Sequence, residues 1–228
     1  MLKKLILLPM IILCGFLTFS IDKGVESIAY PELNADVFKP ADMKGKLPTV
    51  FFAHNGYGKK EDWGNFPKEV AAEGYITVSI GWEDMSAVTD IYKSIDGILK
   101  KYESSIDMTR VAFIGGCHGA VKLLTLLDDK DLMAKINVKT AVAISVSEDD
   151  PNMIKATKNT DIPILAIYAK RDVYGYSPIN KKFAEELLRE PKKVIALDVI
   201  PHGNEMLVKD DTKPAVSKEI KEWLKKYL

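Results

Sequence analysis

The sequence predicts an α/β fold in which a mostly parallel central sheet carries helices on both faces. Six short apolar runs are rich in valine and isoleucine and mostly lack polar alternation, as expected for strands buried on both faces. Amphipathic helical patterns lie between these runs, and right-handed crossovers of this kind place successive strands parallel. The six runs are residues 49–53, 75–80, 111–114, 140–146, 164–168 and 194–200.

Three helical patterns between and after these runs stand out. The first covers 88–102, where apolar side chains recur at three- and four-residue spacing. The second begins at Ser177-Pro178, a capping residue followed by a proline in the first turn. The third carries its apolar face from Val216 to Tyr227. Residues 24–40 can add one or two antiparallel strands at an edge, and the short connections leave no sequence for a separate lid domain.

The composition indicates one globular domain and leaves small, neutral or weakly charged partners open. The chain has 228 residues, 47% of them hydrophobic, which is enough for a single sizeable core. Lys plus Arg and Asp plus Glu both number 32, so no overall basic field exists to attract nucleic acid. The composition gives no information on the oligomeric state.

The first twenty residues have the pattern of a targeting segment. Two lysines precede an apolar stretch from Leu5 to Phe19 that contains no charge. We expect residues 1–20 to be a secretory signal peptide or, alternatively, an uncleaved membrane anchor, with the α/β domain over 21–228. Lipid modification at Cys14 is a third option, although Leu13 is a poor residue to precede a lipidated cysteine. Each option places the domain outside the cytoplasm, in a periplasm or secreted.

Cys117 is an unpaired cysteine in a motif that favours a nucleophile. The chain has two cysteines, and Cys14 lies in the targeting segment, so Cys117 cannot form an intramolecular disulfide in a processed chain. The sequence GGCHG at 115–119 follows a predicted strand and precedes an apolar helix. Glycines two residues before and after the nucleophile let the backbone make the tight turn that exposes it. A helix N-terminus also favours the thiolate.

Two further strand ends carry an acid and a base. Asp172 lies just past the run 164–168, and His202 lies just past the run 194–200. The chain order Cys117, Asp172, His202 is the nucleophile–acid–base order of α/β-hydrolases. Because sites in parallel sheets form where the carboxyl ends of strands converge, we expect the three side chains to meet.

The loop after the run 49–53 predicts an oxyanion hole. We expect one backbone N–H from Tyr57, with Gly56 as the neighbouring candidate, and the other from His118, the residue after the nucleophile. We interpret His54, at the end of the same run, as a structural histidine that hydrogen-bonds the loop. The expected pocket walls are Trp82, Glu83, Tyr174 and Tyr176.

Over residues 47–228 the chain resembles the dienelactone hydrolase family, α/β-hydrolases whose nucleophile is a cysteine. The resemblance rests on G-x-C-x-G at 115–119, on the segment IPILAIYAKRD that ends at Asp172, and on PHG around His202. It implies a Cys-His-Asp triad that hydrolyses an ester, lactone or thioester of a small substrate through an acyl-cysteine. No metal or organic cofactor is required for that chemistry.

The chain departs from the family pattern at two places, and two other functions remain open. Asn55 stands where the family often has a glutamate, and Met206 stands where an arginine for a substrate carboxylate is expected. A class I glutamine amidotransferase would pair the cysteine with H-x-E, but here position 204 is asparagine and the glutamate is at 205. The remaining alternative is a non-enzymatic binding protein on a hydrolase fold.

Overall fold

A single mixed sheet organises the part of the chain that the computed structural model describes, namely residues 19–22, 24–83 and 88–228. The described residues form nine strands in the order β1-β2-β3-β5-β4-β6-β7-β8-β9. Their bounds are β1 Phe19–Asp22, β2 Val25–Tyr30, β3 Ala35–Pro40, β4 Leu47–Ala53, β5 Ile76–Ile80, β6 Ile106–Gly116, β7 Val138–Ile144, β8 Ile164–Ala169 and β9 Lys192–Leu197. The predicted signal peptide or anchor falls, except for its last two residues, outside the described residues.

The pairing directions confirm the predicted sheet. The six strands from the apolar runs, β4 to β9, pair in parallel. The strands β1, β2 and β3 form an antiparallel extension, and β3 pairs antiparallel with β5. Residues 24–40 therefore contribute edge strands, as the sequence predicts.

Seven α-helices cover the described sheet. They are α1 Phe66–Ala71, α2 Thr89–Lys101, α3 His118–Thr125, α4 Lys130–Met133, α5 Pro151–Asn159, α6 Ser177–Lys182 and α7 Lys213–Tyr227. A π-turn over Phe183–Leu187 continues α6. The helices α1 and α7 pack on one face of the sheet, and the apolar side chains of α2 to α6 pack on the other. Within the described residues, the connections hold no separate lid domain, and no helix is long and apolar enough to cross a membrane.

Burial on both faces explains why the strand sequences are apolar without alternation. Phe51 and Phe113 belong to the core under α2 to α6, and their rings meet edge to face. The next residues along the same strands, Phe52 and Ile114, belong to the core under α1 and α7. Because successive side chains of a strand point to opposite faces, both positions must be apolar when both faces are covered.

The parallel strands end at one common edge of the sheet. The loop after β4 begins at His54, and Cys117 follows β6 directly. Asp172 follows β8 by three residues and His202 follows β9 by five. Loops that carry these side chains therefore converge above the sheet, as expected for a site at the carboxyl ends of the strands.

Candidate active site

Cys117 lies on a strained turn between β6 and α3. Its φ of 53° and ψ of −123° are unusual for a residue with a side chain. The flanking glycines make the turn possible, since a Cβ at Gly115 would lie 2.3 Å from the Cα of Ala120. A Cβ at Gly119 would lie 2.2 Å from the carbonyl oxygen of Ala53. The backbone is therefore too close for any other residue at these positions, and it holds the thiol at the N-terminus of α3.

His202 and Asp172 form a buried pair beside this cysteine. Nδ1 of His202 lies 2.5 Å from Oδ2 of Asp172, and both side chains are buried. The other carboxylate oxygen, Oδ1, accepts the backbone N–H of Tyr174 at 2.9 Å. Asp172 is thus oriented by its own loop, and it holds Nδ1 of His202 protonated. Nε2 of the same ring is then left to act on another group.

The ring of His202 lies beside the thiol of Cys117. Nε2 of His202 is buried and meets no described residue in hydrogen-bonding geometry. Its ring is nevertheless close enough for each group to change the pKa of the other. Such contacts commonly tighten only when substrate is bound.

The two pKa shifts favour an ion pair. Burial raises the pKa of Cys117, but the hydrogen bond with His118, the side chain and charge of His202, and the Gly56 backbone N–H outweigh it and lower the pKa from 9.0 to about 6. Burial lowers the pKa of His202, but Asp172 and Cys117 outweigh it and raise the pKa from 6.5 to about 9. Between these values the pair consists of thiolate and imidazolium, and the two titrations belong to the pair as a unit.

The predicted oxyanion-hole residues lie at the same cleft. The backbone N–H of Gly56 is the group of this loop that interacts with the thiol. The Tyr57 side chain lines the cleft mouth and is 93% exposed. His118 is the first residue of α3, where backbone N–H groups have no intrahelical partner. Of the two candidates in this loop, Gly56 is therefore the one whose backbone N–H interacts with the thiol, and the assignment of Tyr57 and His118 as oxyanion donors stays a prediction.

Asn55 stands where the dienelactone hydrolase pattern often has a glutamate, and it hydrogen-bonds the loop that carries His202. Its side-chain Oδ1 accepts the backbone N–H of Asn204 at 3.1 Å, and its backbone N–H donates to Oδ1 of Asn204 at 3.1 Å. Its Nδ2 donates to the carbonyl oxygen of His202 at 3.4 Å. Asn204 in turn donates to the carbonyl oxygen of Asp62 at 2.9 Å. This reciprocal pair, which sequence reasoning missed, ties the loop after β4 to the loop after β9.

The cleft above these residues has a volume of about 580 Å³. Tyr174 and Tyr176 form part of its wall, and each ring centroid lies 5.2 Å from the ring of His202. The charged residues that line it are Glu61, Asp62, Glu205 and Lys209. The lining is therefore net acidic, and the sequence patterns gave no signal for these four side chains because they come from two distant loops.

Two of the expected wall residues lie elsewhere. Trp82 is buried and stacks on His54 with ring centroids 5.0 Å apart, and Glu83 borders a different hollow beside β2. Trp82 donates its backbone N–H to Nε2 of His54 at 3.4 Å, and Nδ1 of His54 lies 2.6 Å from the carbonyl oxygen of Asn55. Burial lowers the pKa of His54, so a neutral ring that donates from Nδ1 satisfies both contacts. His54 thus has the structural surroundings that its position predicts.

Met206 and Glu205 are the positions that bear on a carboxylate substrate and on the amidotransferase alternative. Met206 is fully buried in the core under α7, so a side chain at this position does not reach the cleft. Glu205 lies near the backbone N–H of His202 at 3.4 Å, whereas the imidazole itself pairs with Asp172. The arrangement therefore differs from the Cys-His-Glu pairing of an amidotransferase.

Solved structures share this fold at low sequence identity. Dienelactone hydrolase from Anabaena variabilis superposes with a TM-score of 0.65 at 14% identity and covers 93% of this chain and 97% of its own. Esterase B from Lactobacillus rhamnosis gives a TM-score of 0.62 at 16% identity, over 84% of this chain and 81% of its own. A thermostable esterase from Pseudomonas putida gives 0.66 at 14% identity, over 92% and 86%. No protein-family model and no curated protein sequence matches the chain. The chain has the α/β-hydrolase fold.

Proposed function

We propose that the protein is an ester hydrolase in which Cys117 is the nucleophile, His202 the acid–base catalyst and Asp172 the residue that orients the histidine. The observation that carries the proposal is the 2.5 Å contact between His202 and Asp172, buried beside a cysteine on a strained strand-to-helix turn. The low pKa of Cys117 and the high pKa of His202 support a thiolate that is ready to attack at neutral pH. The esterases with the same fold agree with this reaction class.

Acylation begins when the thiolate attacks the ester carbonyl carbon and a C–S bond forms. The negative charge moves to the carbonyl oxygen, where backbone N–H groups of His118 and of Gly56 or Tyr57 stabilise it. Each such donor contributes about 3–4 kcal/mol in comparable sites. When the tetrahedral species collapses, the C–O bond breaks and the leaving alkoxide takes the proton from Nε2 of His202.

In deacylation His202 acts first as a base, and the thiolate of Cys117 is the leaving group. The neutral His202 takes a proton from a water molecule that attacks the thioester carbonyl, and the C–S bond then breaks to release the thiolate and the carboxylic acid. Asp172 stabilises the imidazolium that forms in this step and keeps Nδ1 protonated throughout. The residues that carry out the two steps require neither a metal nor an organic cofactor.

The cleft supports a small, uncharged ester as the substrate. Its volume of about 580 Å³ and its aromatic wall suit a compact acyl or alkyl group. Its three carboxylates against one lysine disfavour a substrate that bears a carboxylate, and the buried Met206 supplies no cation. Hydrolysis of a dienelactone-type lactone acid is therefore less suited to this cleft than hydrolysis of a neutral ester.

Turnover of p-nitrophenyl butyrate by the full chain and three variants tests the proposal. We expect Cys117→Ala to lower kcat/KM by about 10⁴-fold or more, in line with the loss of a nucleophile in a comparable triad. Cys14→Ser is the matched control, and it should leave the rate unchanged. Cys117→Ser should also be slow, because an alcohol is not ionised by His202. Equal rates for wild type and Cys117→Ala would refute the function.

Trapping the intermediate gives a second, independent readout. Rapid acid quenching followed by mass spectrometry should show a butyryl group on the peptide that contains Cys117. An acyl group found on another residue, with Cys117 unmodified, would contradict the assigned nucleophile.

We also propose that the domain acts outside the cytoplasm, on the basis of the two lysines and the apolar stretch at its N-terminus. Mass spectrometry of the protein purified from its natural host tests this. A mature chain that begins near residue 21 indicates a cleaved signal peptide, whereas an intact N-terminus in the membrane fraction indicates an anchor. An intact chain in the cytoplasmic fraction would overturn the proposal.

A further inference from the structure

His118 contacts the nucleophile with its side chain as well as through its backbone. Nδ1 of His118 lies 3.2 Å from Sγ of Cys117, within hydrogen-bonding distance for sulfur. The backbone N–H of this residue belongs to the oxyanion hole whatever its side chain is, so the imidazole is an additional feature of this chain. The ring is half-buried and borders both the catalytic cleft and a neighbouring hollow.

The charges around His118 determine whether it can donate a proton to sulfur. The hydrogen bond with Cys117 raises the pKa of His118, burial lowers it, and the charges of Cys117 and Glu148 raise it again. Lys122, one turn along α3, lowers it. Asp150 borders the same hollow. Glu148, from the loop after β7, therefore favours the protonated ring, whereas the Asp150 carboxylate caps the N-terminus of α5.

His202 and Tyr176 face the sulfur from other loops, and Asp172 faces the ring of His202. His202 comes from the loop after β9, and Asp172 and Tyr176 come from the loop after β8. The ring of His202 is outside hydrogen-bonding geometry to the thiol, whereas His118 is within it. Among the individual interactions that lower the pKa of Cys117 against its burial, the hydrogen bond with His118 is the largest, and two contributions from His202 follow it.

We infer that the His118 imidazole is a second catalytic donor in this site, which hydrogen-bonds the Cys117 thiolate from Nδ1 independently of His202. The inference deepens the proposed function, since it concerns the same nucleophile. Two consequences follow. The Cys117 thiolate stays populated at lower pH than with His202 alone. The same hydrogen bond makes the thiolate less basic than it would be without His118, and hence a weaker nucleophile.

These consequences separate a hydrogen-bond donor from a merely structural residue. Loss of a hydrogen bond to a charged group shifts the ionisation of that group by about one to two pH units. For thiolates, nucleophilicity rises with basicity, by about threefold for each unit of thiol pKa. Removal of the donor should therefore move the ionisation of Cys117 to higher pH and, once Cys117 is fully ionised, make it react faster. Local unfolding would also free the thiol, with a midpoint near the free-cysteine value of about 8.5, so the two changes are read only in variants that a urea titration shows to be folded.

The experiment measures the rate of alkylation of Cys117 by iodoacetamide from pH 4 to pH 10, in the full chain carrying Cys14→Ser so that one thiol is followed. His118→Leu removes the donor, and we expect the midpoint to rise by about one to two pH units and the plateau to rise about threefold or more. His118→Asn places an amide N–H near the position of Nδ1 and should restore most of the wild-type midpoint. An unchanged midpoint in His118→Leu, or equal shifts in both variants, would overturn the inference.

A measurement on the unsubstituted protein covers the case in which the variants do not fold. NMR titration of ¹⁵N-labelled histidine should show a lower pKa for His118 after Cys117 has been capped with iodoacetamide, because the thiolate then no longer accepts its proton. The same pKa before and after capping would refute the contact. Neither assay needs an ester substrate, so a failure of the hydrolase proposal can be told apart from a failure of this one.

Discussion

Replacement of Asp172 by asparagine tests the central pair of the site. The carboxylate is buried and lies 2.5 Å from Nδ1 of His202, whose pKa stands at about 9 against 6.5 for the unperturbed group. The difference corresponds to about 3 kcal/mol at about 1.4 kcal/mol per pH unit, part of which comes from the thiolate of Cys117. An uncharged amide at position 172 removes the Asp172 share, and burial then favours the neutral ring.

An asparagine can also hold the wrong tautomer of His202. Its Nδ2–H donates to Nδ1, which leaves Nε2 protonated and unable to take a proton from water. We expect kcat to fall by about 10⁴-fold, the size of the same change in a serine-protease triad. The measurement is the pH dependence of kcat and kcat/KM for p-nitrophenyl butyrate, together with a urea titration to show that the variant is folded.

Asp198→Asn is the matched control for this experiment. Asp198 also follows β9, but its side chain is 75% exposed and pairs with Arg171 on the surface. Exposed pairs of this kind contribute about 0–1 kcal/mol, so activity should be retained. If Asp172→Asn and Asp198→Asn had the same small effect, the assignment of Asp172 to the triad would be wrong.

Three further predictions address the backbone, the loops and the cleft. Gly119→Ala should lower the free energy of unfolding by about 1–3 kcal/mol in a urea titration, because the new Cβ would lie 2.2 Å from the Ala53 carbonyl oxygen. An unchanged urea midpoint would contradict the close packing of the turn. Asn55→Ala should lower the free energy of unfolding by about 1–3 kcal/mol, since it leaves the buried backbone N–H of Asn204 without its acceptor. We expect kcat to fall as well, and full activity would show that this loop contact does not position His202. The acidic cleft should favour p-nitrophenyl butyrate over p-nitrophenyl hemisuccinate by about 1 kcal/mol, or about fivefold in kcat/KM beyond their intrinsic reactivities; a preference that does not weaken in 0.5 M salt would exclude an electrostatic cause.

Elements with strong local signals could be predicted from the sequence. Runs such as that at 111–114 are short, rich in β-branched residues and separated by helical patterns, which favours buried strands, and the proline after Ser177 marks the start of α6. The elbow at Cys117 was predictable for the same reason, because the glycines at 115 and 119 serve a local backbone turn. In each case the physical cause lies within a few residues of the chain.

The wall of the cleft could not be predicted in this way. Trp82 follows β5 at the edge where the site lies, yet it turns inward and stacks on His54. Asn55 is a departure from the dienelactone hydrolase pattern in the sequence, and the structure shows it hydrogen-bonded to Asn204, 149 residues further along the chain. Such contacts depend on where two loops meet, and no local pattern records that.

By itself, the sequence determined the α/β class of this protein, its parallel strands and the elbow at Cys117, because strand burial and tight turns impose local requirements on residue type. It also placed Asp172 and His202 just past the ends of two strands. Only the tertiary structure decided which side chains contact the sulfur, that His118 is one of them, and that acidic residues line the cleft. These properties depend on distances between loops that are far apart in the chain. The packing of the whole sheet, rather than any one segment, sets those distances.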